Sequence, residues 1–522
     1  MDKIKLYFLK CFVLYLFLSA TTSFAVEWQQ YRTFGGRTLE GDIKTIIADM
    51  RYVYTFSLYS GTRYDKLLDK WEFSFINNLP TGGYQFVAAD YYFNDLYFVY
   101  YDRMVPYRTV SNMQYPAIEL PKKIIKVAFN NDGIWVVTTK GAYICDRWNR
   151  TYRKIEKVPD NLIWNGELNN EALRKNGRLY FLADPMWDDW AGLHYLTAYA
   201  EEFASDYVWA AYSGLGLWRY NLVTKEKIQI TKGFLASKNV ADLSGNFKTI
   251  GLCGEGGLTF INLEKNSWQQ LGKLFNIDLN DYQLRCLVFN EKKIFIGTNR
   301  GIIVLKNGDD FATTISEYEG LPGNKINTLL LKADSLWIGT EYGPALYSIK
   351  SGAKVNRWEG QGETAVYHLA TDHNYLYMAT SRGGLILNRS DSMKIFRYDT
   401  NAPMEINREI FAVFTYGSDV WWLSPEALLV YNKIQQQWKK YPLAGNYSPG
   451  RGNSLEVDEQ NVWIGSDAGL LRFIKSSEQW IAYGKDGGLL DNKVCSVLSQ
   501  EGKIWVGSDS GLCSYDWQNE QK

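Results

Sequence analysis

The chain has 522 residues, with 57 basic and 57 acidic side chains and therefore no formal net charge. Without a basic surplus, there is no electrostatic footprint for a nucleic acid or for a polybasic membrane contact. Aromatic residues make up 16% of the chain, and it contains 44 Gly but only 12 Pro, a mixture that favours strands and tight turns over helices. The composition therefore predicts an all-β protein that does not bind nucleic acid.

Residues 1–25 have the pattern of a secretory signal peptide. Three lysines accompany an apolar run of secretory length, and the segment ends in the small-x-small sequence Ser23–Ala25. We expect cleavage before Val26, and no second apolar stretch of spanning length follows. The sequence thus predicts a periplasmic or secreted protein without a membrane span after cleavage.

Reactive and metal-binding residue types are few. The three histidines form no motif, and the Gly-rich segments lie in hairpin turns and not between a strand and a helix, as a phosphate loop requires. The five cysteines that remain after cleavage are expected to be mostly buried small hydrophobic residues. They are Cys145, Cys253, Cys286, Cys495 and Cys513. We therefore expect no metal site, no cofactor and no enzyme.

A repeat with a period near 42 residues organises the chain. From Trp209 onward, successive anchor residues lie 40 to 44 positions apart, within segments such as "LWIGTEYGPALYSI" and "IWVGSDSGL". The full set of anchors is Tyr54, Tyr97, Trp135, the doubtful Tyr180, Trp209, Gly251, Phe295, Trp337, Tyr377, Trp421, Trp463 and Trp505. The sequence therefore contains 11 to 12 repeats of one structural unit.

Each unit divides into four short apolar or aromatic runs separated by turn residues. Such runs are typical of strands joined by hairpins. The Gly of "TNRG", "SDAG" and "SDSG" stands where a tight turn needs positive φ. The repeated "GSD" at Gly465–Asp467 and Gly507–Asp509 is expected to be a turn and not part of a metal-binding ring. One four-stranded sheet per repeat predicts a β-propeller blade.

The two ends of the chain complement each other. The last strand of a unit reads "WKKY" at Trp438–Tyr441 and "WIAY" at Trp480–Tyr483, and "WQQY" at Trp28–Tyr31 has the same pattern, whereas the final unit stops after its third strand. The first strand is expected to complete the C-terminal blade. If the protein has two self-contained rings, it would instead complete the last blade of the first ring, and Glu226–Thr231 would pair with the C-terminus.

Twelve anchors exceed the four to eight blades that one ring usually holds. We therefore expect two rings in tandem with strand-swap closure: an irregular N-terminal propeller over residues 26–224 and a seven-bladed C-terminal propeller over residues 225–522. The blade count of the first ring stays open, because the spacing between Tyr180 and Trp209 is too short for a full blade.

The units "WIGTEYG", "WIGSDAGL" and "WVGSDSGL", with the loops "EGLPGNKINTL" and "GGLLDNKVCSV", resemble the two-component regulator propeller repeat family. The resemblance is good over the last seven units, fair near Trp209 and poor before Trp135. It implies paired propellers outside the cytoplasm, in a family whose receptors often bind oligosaccharides. We expect no receptor output domain after Asp516, so a sensor of this kind would need a separate signalling partner.

Two groups of residues are candidates for ligand binding. In the irregular segment "DPMWDDW", exposed Trp faces beside carboxylates would suit stacking on sugar rings; its candidate residues are Asp184, Trp187, Asp188, Asp189 and Trp190. Loops that join blades should converge near a ring axis; their candidate residues are Asn324, Lys325, Arg408, Glu409, Asn492 and Lys493. A structural role is the alternative for both groups.

The sequence leads to three functional hypotheses. The first is an exported, non-catalytic protein that recognises a carbohydrate or protein partner in sensing or signalling. The second is a structural accessory or scaffold of an export or cell-surface machine. The third is a propeller lyase or hydrolase, which the sequence favours least because no paired acid and base stand at readable spacing.

Overall fold

The structure is a computed structural model in which 20 segments of the chain are described. These are residues 28–33, 43–49, 51–57, 61–72, 83–93, 95–109, 111, 113–162, 164–166, 196–202, 205–212, 216–231, 234–272, 276–306, 311–350, 356–357, 364–389, 395–398, 401–443 and 451–518. The signal-peptide prediction lies outside these residues. Within them, no helix has the length and apolar character needed to cross a membrane.

The described residues form eleven β-sheets, numbered here in chain order, and four short 3-10 helices. Sheet 1 contains β2 (Thr45–Ala48), β3 (Tyr52–Phe56), β4 (Gly61–Asp65) and β5 (Lys70–Glu72). Sheet 2 contains β6 (Phe86–Asp90), β7 (Asp95–Val99), β8 (Arg103–Arg108), β9 (Met113–Gln114) and β10 (Ile118–Glu119). Sheet 3 contains β11 (Ile124–Asn130), β12 (Gly133–Thr138), β13 (Gly141–Cys145), β14 (Tyr152–Ile155) and β15 (Trp164–Gly166). Sheet 4 contains β16 (Leu196–Glu201), β17 (Tyr207–Tyr212), β18 (Gly216–Asn221) and β19 (Lys227–Gln229).

The later sheets are more regular. Sheet 5 contains β21 (Asp242–Gly245), β22 (Thr249–Gly254), β23 (Gly257–Asn262) and β24 (Ser267–Leu271); sheet 6 contains β25 (Leu284–Phe289), β26 (Lys293–Thr298), β27 (Gly301–Lys306) and β28 (Thr313–Ile315). Sheet 7 contains β29 (Ile326–Lys332), β30 (Ser335–Thr340), β31 (Gly343–Ser348) and β32 (Asn356–Arg357); sheet 8 contains β33 (Val366–Thr371), β34 (Tyr375–Thr380), β35 (Gly383–Asn388) and β36 (Ile395–Phe396).

The last three sheets complete the chain. Sheet 9 contains β37 (Ala412–Tyr416), β38 (Asp419–Leu423), β39 (Ala427–Asn432) and β40 (Gln437–Pro442); sheet 10 contains β41 (Gly452–Val457), β42 (Asn461–Ser466), β43 (Gly469–Ile474) and β44 (Gln479–Tyr483). Sheet 11 contains β45 (Val494–Gln500), β46 (Lys503–Ser508), β47 (Gly511–Asp516), β1 (Gln29–Thr33) and β20 (Phe234–Leu235). The 3-10 helices are Leu279–Asp281, Glu317–Glu319, Met404–Asn407 and Lys485–Gly487.

The prediction of repeated four-stranded antiparallel units is confirmed. Every anchor in the described residues lies in the second strand of its sheet, and the aromatic anchors are all buried, from Trp209 at 0% exposure to Trp135 at 9%. A large aromatic side chain at this position fills the space between adjacent sheets, where its burial is worth about 2 to 3 kcal/mol. Tyr180 lies outside the described residues.

The turn between the second and third strands repeats one local arrangement. The Thr298 hydroxyl donates to Gly301 O at 2.8 Å, and Ser508 donates to Gly511 O at 2.9 Å. Gly301 has φ of 102° and Gly511 has φ of 130°, as predicted for these glycines. Three of the four buried cysteines, Cys145, Cys253 and Cys513, lie in second or third strands of this kind.

The first strands of sheets 5 to 11 contact one another in sequence, from β21 to β25, β29, β33, β37, β41 and β45, and β45 contacts β21 again. This cyclic order places the first strands at the centre of the seven sheets. In the N-terminal part of the chain, sheet 4 contacts sheet 1, sheet 1 contacts sheet 2, and sheet 2 contacts sheet 3.

The partner of the first strand is in the C-terminal sheet. β1 pairs with β47 in antiparallel fashion, with Gln30 opposite Cys513, and β20 covers the other edge of β1 in parallel fashion. β19 pairs with β18 in its own sheet. The alternative in which Glu226–Thr231 pairs with the C-terminus is therefore wrong, because β1 already occupies the edge that it would need.

An axial cavity as candidate functional site

A cavity of about 330 Å³ lies where the first strands of sheets 5 to 11 begin, and all seven sheets contribute to its lining. One equivalent repeat position supplies a residue from each sheet in turn: Ala241, Arg285, Asn327, Tyr367, Phe411, Asn453 and Cys495. The residue before this position is buried in every copy, which anchors the start of the strand. We call this space the axial cavity.

A β-bulge explains why this position faces the cavity in five of the sheets. The pairing register shifts between Leu284 and Cys286, so Arg285 has no direct partner across the strands, and the same shift recurs around Asn327, Tyr367, Asn453 and Cys495. A bulge leaves its extra residue unpaired and redirects the side chain. The repeated bulge therefore delivers varied side chains to one place on a regular scaffold.

The charged residues of the lining are three cations and two carboxylates. Lys493 pairs with Asp509 at 2.8 Å, a contact that raises the pKa of Lys493. The other charged lining residues are Arg285, Arg451 and Glu255. The cavity therefore presents two guanidinium groups in addition to one closed ion pair.

Cys495 is held beside that ion pair. Its Sγ donates to Asp509 Oδ1 at 3.4 Å, and burial together with the Asp509 charge raises the pKa of the Cys495 thiol to about 12. A nucleophilic cysteine needs the thiolate form, and this site disfavours it. The prediction that the cysteines are mostly buried holds for the other four, whereas Cys495 is half-buried on the cavity wall.

Aromatic and guanidinium groups meet in another part of the lining. The Arg451 guanidinium lies 5.5 Å from the centre of the Tyr367 ring, and the Tyr367 hydroxyl donates to Glu409 Oε1 at 3.0 Å. Burial and the contact with Glu409 raise the pKa of Tyr367. The hydrogen bond to Glu409 therefore fixes the Tyr367 side chain, and the face of its ring makes a cation–π contact with Arg451.

The predicted loop residues take different positions. Lys493 lines the axial cavity, and Glu409 supports it through Tyr367. Asn324 Oδ1 accepts from Glu317 N at 2.9 Å, and Asn492 Oδ1 accepts from Lys485 N at 2.8 Å, so both asparagines brace their own loops. The remaining two make contacts outside the lining: Lys325 N donates to Glu341 Oε1 at 3.2 Å, and Arg408 lies 3.4 Å from Glu426.

The other predicted group, Asp184, Trp187, Asp188, Asp189 and Trp190, lies outside the described residues. Sequence reasoning also missed the main lining residues, although a signal for them exists. Arg285, Asn327, Tyr367 and Asn453 recur at the repeat period, one residue after the buried start of each first strand. Because the residue type at that position varies among copies, no shared motif marks it.

Asp242 links three sheets just behind the axial cavity. Its Oδ2 accepts from Leu287 N of sheet 6 at 2.9 Å, and its Oδ1 accepts from Ser496 Oγ of sheet 11 at 3.0 Å. Ser496 Oγ in turn accepts from Leu243 N at 3.1 Å. Burial raises the pKa of Asp242 to about 6, the hydrogen bonds opposing this effect only in part.

Asp242→Asn is expected to stabilise the protein above pH 6 by about 1 to 3 kcal/mol. The Asn side chain can accept from Leu287 N and donate to Ser496 Oγ without a charge. In the wild type, the raised pKa means that ionised Asp242 lowers the free energy of unfolding. This loss of stability is absent below about pH 4, grows between pH 4 and 6, and is constant above pH 6. Denaturant unfolding of both proteins at pH 4 and pH 8 measures this, and an equal difference at the two pH values would contradict it.

No protein-family model and no curated protein matches this chain. Among solved structures, the chain is similar to the extracellular domain of BT3049 from B. thetaiotaomicron, described as a hybrid two component system, with a TM-score of 0.44, 14% identity, and coverage of 92% of this chain and 69% of that one. The extracellular domain of BT4673 from the same organism, described as a one component system, gives a TM-score of 0.35 at 16% identity over 94% and 72% of the two chains.

Virginiamycin B lyase from Staphylococcus aureus gives a TM-score of 0.44 at 10% identity, covering 53% of this chain and 94% of that one. Likenesses of this strength carry no argument about the activity or ligand of this chain. The resemblance to the two-component regulator propeller repeats therefore continues to rest on the repeat motifs themselves.

Proposed function

We propose that this protein is an exported, non-catalytic binding protein and that the axial cavity holds its ligand or the contacting group of its partner. One observation carries the proposal: one repeat position supplies side chains of six residue types from seven sheets to a single cavity, and two guanidinium groups, those of Arg285 and Arg451, line that cavity. A purely structural centre would be expected to fill with apolar side chains, as the spaces between the sheets do.

A sensing or signalling role, with a carbohydrate or protein as the recognised partner, is part of this proposal. It is supported by the resemblance of the repeats and by the signal-peptide pattern. The segment with Trp187 and Trp190 is proposed as a second sugar-contacting site on the basis of its sequence alone.

The proposed architecture is two propellers in tandem. The cyclic contacts of sheets 5 to 11 support a closed seven-bladed C-terminal ring, to which β1 adds the fourth strand of the last blade. Sheets 1 to 4 belong to the N-terminal ring, which includes β19 because it pairs with β18. In this arrangement β1 belongs to the C-terminal ring, the chain then forms the N-terminal ring, and sheets 5 to 11 complete the C-terminal ring.

The lining favours binding over catalysis. Cys495 is held as a thiol, and His368 packs away from the cavity, its Nδ1 lying 2.9 Å from Val413 O. The carboxylate of Asp509 is engaged by Lys493 and by Cys495. A general acid and base with free access to one substrate atom would be needed for a lyase or hydrolase.

A glycan-array screen and a pull-down from envelope extracts, both with the mature protein, test the proposal. We expect one of them to give specific binding that Tyr367→Ala removes, with the melting temperature within a few degrees of the wild type. Capture of an envelope protein by the wild type and the Tyr367→Ala variant alike would favour the scaffold hypothesis, with contacts elsewhere. Turnover of a bound glycan would contradict the non-catalytic proposal.

A further inference from the structure

The two arginines of the axial cavity have donors to spare. Arg285 Nε donates to Ile326 O at 2.8 Å, and one Nη donates to Asn327 Oδ1 at 3.1 Å. A guanidinium group carries five N–H donors, so these two bonds leave three. Within the described part of the chain, no carboxylate lies within ion-pair distance of Arg285.

Arg451 contacts an aromatic ring, and its charge, like that of Arg285, is not neutralised by a carboxylate of the described residues. Its guanidinium lies over the Tyr367 ring, its side chain is exposed, and no carboxylate of the described residues forms an ion pair with it. Contact with an aromatic face leaves the edge donors of the planar guanidinium available. The Tyr367 ring thus orients Arg451 at the cavity and leaves the N–H donors of Arg451 unused.

The rest of the lining offsets this positive charge only in part, because the lining has three cations and two carboxylates. Lys493 and Asp509 neutralise each other, and Glu255 is an exposed lining residue that forms no ion pair with either arginine. Asn453 is already committed, since its amide donates to Asp467 Oδ1 and to Val494 O, each at 2.9 Å. The strongest free donors in the axial cavity are therefore those of Arg285 and Arg451.

Resting on the proposed binding function, we infer that the axial cavity recognises a small ligand through an oxyanion, a carboxylate, sulfate or phosphate, bound by Arg451 and Arg285. Planar guanidinium groups match oxyanion geometry and form hydrogen bonds about twice as strong as neutral ones. A volume of about 330 Å³ is at the lower end for ligand sites. The site therefore suits one or two sugar rings, or a group of similar size, and not a long polymer segment.

Titration calorimetry of the full chain with four related probes tests this inference: glucose, glucuronate, glucose 6-sulfate and glucose 6-phosphate. We expect at least one of the charged probes to bind about tenfold to a hundredfold more tightly than glucose. The probe that binds best identifies the oxyanion. Equal affinity for all four probes, or no binding of any charged probe at millimolar concentration, would overturn the inference.

Variants assign the effect to the arginines. Arg451→Gln should remove most of the difference between the charged probe and glucose, whereas Arg451→Lys, which keeps the charge but not the planar fork, should retain part of it. Arg153→Gln changes an exposed arginine in sheet 3 and is the matched control. An Arg451→Gln protein that binds the charged probe like the wild type would overturn the assignment.

The calorimetry tests the oxyanion site, and the glycan array and the pull-down test the proposed function. If the charged probes fail while the array or the pull-down gives binding that depends on Tyr367, the protein is a binding protein without an oxyanion site. If neither screen gives such binding, the proposed function fails.

Discussion

Replacing both Trp28 and Tyr31 with Ala should destabilise the C-terminal sheets by several kcal/mol. Trp28 is 9% exposed, and its ring lies 5.1 Å from that of Tyr515 and 5.7 Å from that of Tyr483. Loss of a large buried aromatic side chain typically costs about 3 to 5 kcal/mol, because a cavity replaces its contacts.

Tyr31 adds a second set of contacts on the other face of β1. Its ring lies 5.0 Å from that of Trp268 in sheet 5 and 6.0 Å from that of Trp505 in sheet 11. β1 therefore connects the last sheet to the first of the seven, and weakening it opens an edge that is otherwise paired.

Limited proteolysis and denaturant unfolding measure this effect. We expect cleavage of the double variant to begin within sheets 5 to 11, while sheets 1 to 4 resist for longer. Arg32→Ala, at an exposed position of the same strand, is the control. If the double variant unfolded and digested like the wild type, β1 would contribute little to the closure of the seven sheets.

Arg147→Met should have a comparable effect in the N-terminal part of the chain. Arg147 Nε lies 2.7 Å from Asp90 Oδ2, and the two side chains are 6% and 0% exposed. Removal of one partner from a buried ion pair leaves an uncompensated charge and typically costs about 3 to 5 kcal/mol. The pair joins sheet 2 to the end of β13 in sheet 3, so the loss should be confined to that region.

The pH dependence of this loss has a definite sign. Burial already raises the pKa of Asp90, with Arg147 opposing the shift, so the variant should raise that pKa further. The destabilisation should therefore be largest at neutral pH and shrink as acid protonates Asp90. The double variant Arg147→Met with Asp90→Leu should recover most of the stability at neutral pH. Equal instability of the single and double variants would assign the loss to packing with Phe93, whose ring lies 4.6 Å from the Arg147 guanidinium.

The repeat and its strands were readable from the sequence because they depend on short-range patterns. An anchor such as Trp337 lies among apolar residues and is followed by a turn with a glycine at positive φ, here Gly343 at 129°. Short apolar runs and the turns that separate them act over a few residues and recur in each copy. The same local pattern predicts a fourth strand at Trp28–Tyr31, where the structure has β1 (Gln29–Thr33).

The sequence alone left open which sheet receives that strand. The segment that begins at Trp28 fits the pattern of a final strand in more than one sheet of the chain. The pairing of β1 with β47 depends on contacts between residues more than 450 positions apart, such as the hydrogen bond from Gln30 Nε2 to Gly488 O at 2.9 Å. Local propensity contains no information about such a choice.

Tertiary structure also decided the candidate site. Arg285 and Arg451 lie on sheets 6 and 10, in repeat copies that share no motif at these positions, and only the cyclic packing of the first strands brings them to one cavity. By itself, the sequence determined the repeat, the four-stranded unit and the buried anchors, because strand formation and turn chemistry are local. The closure of the sheets and the charge of the axial cavity were decided by long-range packing, because a side chain redirected by a bulge acquires its neighbours only after the sheets have assembled.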